Sequence, residues 1–187
     1  MRKLKYVMHI SLDGYHADNN GGLQWVPMDD NIGAWVHEVV VPCDTVIYGR
    51  VTFQLMEAFW PNAEQHPAAA TSKHIVEHAR WVNPVQKIVF SRTLAKTDWQ
   101  NTKIIREDML GAVRALKAGT GGDILMLGSA SIGQLLMSHG LIDDYYMTIA
   151  PVTLGAGQSL FHQPLKLKLI STVQFPNGAI GAHYVPA

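Results

Sequence analysis

Three times in this chain a short apolar run breaks at a small or polar corner. Thr45-Val46-Ile47-Tyr48 runs into Gly49-Arg50, Lys87-Ile88-Val89-Phe90 into Ser91-Arg92-Thr93, and Ile124-Leu125-Met126-Leu127 into Gly128-Ser129. After the first and third corners the apolar spacing becomes helical, through Phe53, Leu55 and Met56, and through Ile132, Leu135 and Leu136. Strands apolar along their whole length suit a sheet covered on both faces, and helices between them are the crossovers that parallel strands require. An α/β class follows. At the other end, Leu165 to Phe175 and Ala179 to Val185 read as two strands joined through Pro176-Asn177-Gly178, a hairpin, so the sheet is predicted mostly parallel but mixed.

In such a sheet the corners share the carboxyl edge, where ligands of open α/β sheets bind. The stretch Asp123 to Gly140 is predicted as strand, tight turn and helix. A helix beginning so abruptly leaves its first N–H groups free and its positive dipole end facing one spot, a ready seat for phosphate. Taken alone, a crossover helix capped by Ser129 or Ser131 is the simpler reading. With Arg50 and Arg92 brought to the same edge, a dinucleotide phosphate becomes the better one, because a guanidinium fork matches phosphate geometry.

The remaining elements are read in order. A strand from about Leu4 to Leu12 ends at Asp13-Gly14, and a long loop carries Asn19-Asn20-Gly21-Gly22, a mobile cover or a plain connection. Asp29 or Asp30 caps a helix that runs to Pro42. Phe59-Trp60-Pro61 and His66-Pro67 mark an irregular loop, and Thr71 caps a helix to about Trp81. Further strands are predicted at Thr102 to Ile105 and Asp143 to Ile149, with a helix from Asp108 to Ala118 between them. Neither an internal repeat nor a linker interrupts residues 1–187, so a single domain is expected.

Composition excludes several classes of function. Lysine plus arginine equals aspartate plus glutamate at 15 each, which leaves no basic excess for nucleic acid or an anionic membrane. A lone Cys43 rules out an internal disulfide framework, and a cytoplasmic location is expected. The nine histidines form no compact ligand motif, so no metal is expected. Gly128-Ser129-Ala130-Ser131-Ile132-Gly133 is not the Gly-x-Ser-x-Gly elbow of a serine hydrolase.

Ser11-Leu12-Asp13-Gly14-Tyr15, Gly49-Arg50-Val51-Thr52, Lys87 to Leu94, and Leu141-Ile142-Asp143-Asp144 leading to Pro151-Val152-Thr153-Leu154-Gly155-Ala156-Gly157 together resemble the dihydrofolate-reductase-like family. Within it they resemble the reductase domain of the bifunctional riboflavin-biosynthesis enzymes. The resemblance runs from about Tyr6 to Tyr184 and implies a three-layer fold and an NADPH-dependent reductase that acts on a small heterocycle. The best named step is the riboflavin-pathway aminopyrimidine reduction; alternatives are dihydrofolate reductase itself and a nucleotide-binding module without turnover.

By the same resemblance Gly49, Arg50 and Thr52 line the adenosine and pyrophosphate side of the cofactor. Ser91, Arg92 and Thr93 lie near the ribose 2′-phosphate, and Gly128, Ser129, Ala130, Ser131 and Ile132 hold the pyrophosphate. Many members of the family have two successive glycines at this last corner, where this chain has Gly128-Ser129. The zinc deaminase signatures of the bifunctional enzymes are absent from this sequence.

Reduction also needs a proton. The segment Trp25-Val26-Pro27-Met28-Asp29-Asp30 resembles the one that precedes the pocket carboxylate of dihydrofolate reductases. It nominates Asp30, with Asp29 competing and helix capping as the other reading of both. Asp13 and Trp60 are expected on the substrate side, Trp60 as a wall for a flat ring. The resemblance further implies a homodimer, with the late strands as a candidate edge.

Overall fold

A computed structural model describes all 187 residues. The chain opens with strand β1 (Leu4–Ser11) and a short strand β2 (Tyr15–Ala17), followed by helix α1 (Asp30–Val40), β3 (Cys43–Gly49) and α2 (Arg50–Phe59). Then come α3 (Lys73–Val82), β4 (Gln86–Phe90), β5 (Thr102–Ile105), α4 (Met109–Ala118), β6 (Asp123–Leu127) and α5 (Ala130–Ser138). The chain closes with β7 (Asp144–Ala150), the two-residue β8 (Gln158–Ser159), β9 (Leu167–Gln174) and β10 (Ile180–Pro186).

Eight strands form one sheet in the order β5-β4-β3-β6-β1-β7-β10-β9. The first six in that order are mutually parallel, and β10 runs antiparallel to both β7 and β9. The predicted hairpin is therefore present, and the sheet is mixed for the reason the sequence indicated.

Period-two alternation along β1 builds the layers on either side of the sheet. Tyr6, Met8 and Ile10 enter one core with Val113 of α4 and Leu136 of α5. Val7 enters the other, with Ile32 and Val36 of α1, Phe53 of α2 and Val82 of α3. Helices therefore cover both faces, and the carboxyl edge between them stays open.

Several expectations change in detail. The cap of α3 is Ser72, which accepts the Ile75 N–H, rather than Thr71. The irregular loop after α2 holds two short 3₁₀ helices, Trp60–Gln65 and Pro67–Ala70, each with a proline in its first two positions, where a missing N–H costs nothing. The long glycine-bearing loop is tethered near its start, because β2 pairs with β8 from the far end of the chain. No helix is long and apolar enough to cross a membrane.

Candidate active site

Leu127 ends β6, and the next two residues both adopt left-handed backbone, Gly128 at φ +56° and Ser129 at φ +58°, across a trans peptide bond. Glycine takes this conformation freely; for serine it costs about 1 kcal/mol. Gly128 also packs closely, since a Cβ there would lie 3.3 Å from Cγ2 of Thr52. The Ser129 hydroxyl accepts the Gly49 N–H at 2.8 Å, and the Ser129 N–H donates to the Thr52 hydroxyl at 3.2 Å. The corners after β3 and β6 are thereby joined directly.

Neither α2 nor α5 has a side-chain cap at its N-terminus. Their first-turn N–H groups and positive dipole ends lie in the wall of one cavity, lined there by Gly49 to Thr52 and by Gly128 to Ile132. The register explains their proximity: Gly49 stands opposite Phe90, Ile47 opposite Met126, and Val7 opposite Leu127. All three sequence corners therefore begin at nearly the same height on the carboxyl edge.

The cavity measures about 1340 Å³, above the roughly 300–1,000 Å³ of a pocket for one drug-sized ligand. Val7, Met8 and His9 of β1 form its floor, and an aliphatic wall comes from Leu23, Val26 and Met28 ahead of α1 together with Leu55 and Met56 of α2. Its far end is polar, with His16, Gln134, Gln158, Ser159 and His162. Gln134 donates to the carbonyls of Ser159 and Leu160 at 3.0 and 3.2 Å, stapling α5 to the segment that carries His162.

No aspartate or glutamate lines the cavity, and Arg50 is its one arginine. Burial, reinforced by the neighbouring His74, pushes His9 down to about 4, and its Nδ1 is buried without a partner. Burial also lowers His16, with His162 adding to the effect. At neutral pH both rings are therefore uncharged hydrogen-bonding groups.

A second depression of about 350 Å³ adjoins the first, sharing Phe90 and Met109 with it. Ser91, Arg92 and Arg106 line it, together with Glu107 and Asp108. The Ser91 hydroxyl is committed to the turn, accepting the N–H groups of Thr93 and Leu94 at 3.2 and 2.9 Å. Thr93 itself lines neither cavity. Arg106 donates to the carbonyls of Arg92 and Ala95, at 3.3 Å each, and so braces the loop that presents Arg92.

Besides Thr93, three nominated residues stand apart from these cavities. Asp30 accepts the Ser72 hydroxyl at 2.5 Å and the Lys73 N–H at 3.3 Å, tying α1 to the start of α3. Helix geometry is the reason, because Asp30 shares a face with Gly33, whose missing side chain admits His74 of α3, while Ile32 and Val36 face the sheet. Its competitor Asp29 caps α1, accepting the N–H groups of Asn31 and Ile32 at 3.0 Å each.

Trp60 donates its ring N–H to the sulfur of Met56 and packs on His78 at 4.3 Å between centroids, as part of the core beneath α2 and α3. Asp13 accepts from Ser11, Leu154 and Gly155, latching the end of β1 to the loop after β7. The Ser11 hydroxyl and those backbone N–H groups hold its carboxyl below the usual range.

Other cavity residues carry no motif. His9 sits at one place in an alternating strand and reads as core. His16 and Gln158 meet only through the pairing of β2 with β8. Arg106 follows β5 with no motif around it.

A mostly parallel sheet, helices on both faces and a C-terminal antiparallel hairpin define a dihydrofolate-reductase-like fold. The dihydrofolate reductase of Enterococcus faecalis shares it, with a TM-score of 0.66 at 13% identity over 98% of this chain and 96% of that one. Residues 2–180 match the model of the RibD C-terminal domain, and the chain belongs to that family. Protein YyaP of Bacillus subtilis (strain 168), described as uncharacterized, is 32% identical over 186 residues, covering 98% of this chain and 94% of its own. A Thermotoga maritima diaminohydroxyphosphoribosylaminopyrimidine deaminase/5-amino-6-(5-phosphoribosylamino)uracil reductase aligns with a TM-score of 0.69 at 16% identity, over 100% of this chain and 57% of that one.

Proposed function

We propose that this protein is an NADPH-dependent reductase that transfers a hydride to a small heterocycle, most like the reduction of 5-amino-6-(5-phosphoribosylamino)uracil. The observation that carries the reading is the pair of uncapped helix N-termini, of α2 and α5, in one cavity that adjoins the depression holding Arg92. Two neighbouring dipole ends with Arg50 suit a pyrophosphate, and Arg92 braced by Arg106 suits a further phosphate. NADPH bound there supplies the hydride.

The chain's own residues supply binding and water exclusion. The aliphatic wall of Leu23, Val26, Met28, Leu55 and Met56 shelters a flat ring, and the polar end from His16 to His162 orients its heteroatoms. With no carboxylate in the lining and with His9 and His16 uncharged, the proton reaches the reduced centre from solvent.

This lining also argues against dihydrofolate reductase itself, whose basic pterin ring calls for a pocket carboxylate. A reductase of this kind belongs in the cytoplasm. A homodimer through the edge strand β9, where Leu169 and Ile170 are each half exposed, completes the reading. Sedimentation velocity giving a monomer would remove the homodimer.

Titration of NADPH by fluorescence, followed by loss of its absorbance with a panel of pyrimidine and pterin acceptors, tests the proposal. Saturable binding with turnover of an aminopyrimidine supports it. Tight binding with no turnover of any acceptor leaves a nucleotide-binding module, and no binding sinks both.

A further inference from the structure

Ser129 occupies left-handed backbone that glycine would adopt without strain, so its side chain is retained against local preference. Its hydroxyl accepts the N–H of Gly49, the residue from which α2 starts, and its own N–H is accepted by Thr52 in the first turn of α2. The two bonds run in opposite directions between the corners after β3 and β6. Each hydroxyl has accepted an N–H, and neither donates to a protein acceptor, so both keep a hydrogen to give. Both residues line the main cavity. Side chains fill the space beside both glycines, Ile132 against Gly49 and Thr52 against Gly128, so the two corners are packed together as well as hydrogen-bonded.

We infer that Ser129 is a positioning residue: with Thr52 it clips the two helix N-termini into a single anion seat, fixing their separation before a ligand arrives. The inference rests on the reading of this cavity as the dinucleotide site and adds what aligns its two halves. Preorganisation of this kind lowers the ordering cost of binding. A glycine at the same place would keep the backbone path and lose the alignment.

The experiment compares Ser129→Ala, Ser129→Gly, Thr52→Val, Thr52→Ser and the double variant Ser129→Ala/Thr52→Val. Two measurements are made on each, exchange of the Gly49 amide in ligand-free protein by NMR and NADPH affinity by fluorescence titration. Loss of the hydroxyl in Ser129→Ala or Ser129→Gly should speed Gly49 exchange and weaken NADPH by about tenfold, because the ligand must then order the two N-termini itself.

Ser129→Gly should do so with an unchanged or raised thermal midpoint, which a merely structural role would not produce. Thr52→Ser keeps the acceptor and should behave as wild type. The double variant should lose less than the sum of the singles, because the two bonds form one unit. A Gly49 amide that stays protected in Ser129→Ala overturns the clip. Undiminished NADPH affinity in that variant, or additive losses in the double, overturns its role in the seat. A wild-type protein that fails to bind NADPH overturns the functional reading instead, and the exchange measurement still decides the clip.

Discussion

Lys87 is fully buried with its ammonium completely partnered. It donates to the carbonyls of Val82, Asn83 and Val85 at 2.9 Å each and lies 4.7 Å from the ring centre of Trp99. Burial lowers it to about 8, so at neutral pH it keeps the three hydrogens those carbonyls need. Lys87→Met should destabilise the protein by about 3 kcal/mol, read as a lower urea midpoint, because the last carbonyls of α3 lose their donor. Arg92 is the corresponding residue for ligand choice. Arg92→Ala should weaken NADPH about tenfold while changing NADH little, since only the former carries the extra phosphate. Equal losses in parallel titrations would remove Arg92 from that phosphate.

At the scale of elements, α1 and α3 are coupled through their starts. Asp29 caps α1 and also accepts from the Asn177 side chain at 2.8 Å, in the turn between β9 and β10. Asp30 takes the hydroxyl of Ser72, the residue that caps α3. Asp30→Asn should therefore leave NADPH affinity and turnover nearly unchanged while costing about 1 kcal/mol of stability. A large fall in turnover at unchanged stability would return Asp30 to the chemistry. Of the two aspartates that the sequence offered as caps of α1, Asp29 makes the cap bonds, and Asp30 bonds to the start of α3 instead.

The molecule as a whole carries buried, neutral imidazoles, and these set its response to acid. Burial together with His74 and His37 pushes His78 down to about 3, and His9 lies near 4, against an unfolded value of 6.5. Between 6.5 and those values the unfolded chain binds protons that the folded chain does not. Stability is therefore full above 6.5 and is lost as the pH falls toward the folded values. At pH 5 the loss is about 2 kcal/mol for His78 alone. Urea unfolding at pH 7 and pH 5 measures it, and His78→Phe should flatten the difference. The cavity makes a whole-molecule prediction too. Without a carboxylate in the lining, a basic diaminopyrimidine antifolate should bind far more weakly than a uracil-type ligand, as calorimetry would report.

Local chemistry determined most of the architecture. Apolar runs ending at Gly49, Ser91 and Gly128, with helical spacing after two of them, already implied a parallel sheet with corners on one edge. Pro176-Asn177-Gly178 implied the closing hairpin, because such signals act within a few residues. Only the tertiary structure decided what stands around those corners. The Ser129–Gly49 bond spans 80 positions, and Asp13 meets Gly155 across 142. No periodicity encodes such distances. Helix phase and loop pairing also decided the hydrogen-bond partners of Asp30, Asp13 and Trp60, which a linear reading does not name. His9 gained its place at the cavity from the order of strands, and Gln134 and His162 gained theirs from the docking of α5 on the loop after β8. A sequence records which groups a site has available, and packing settles which of them share one space.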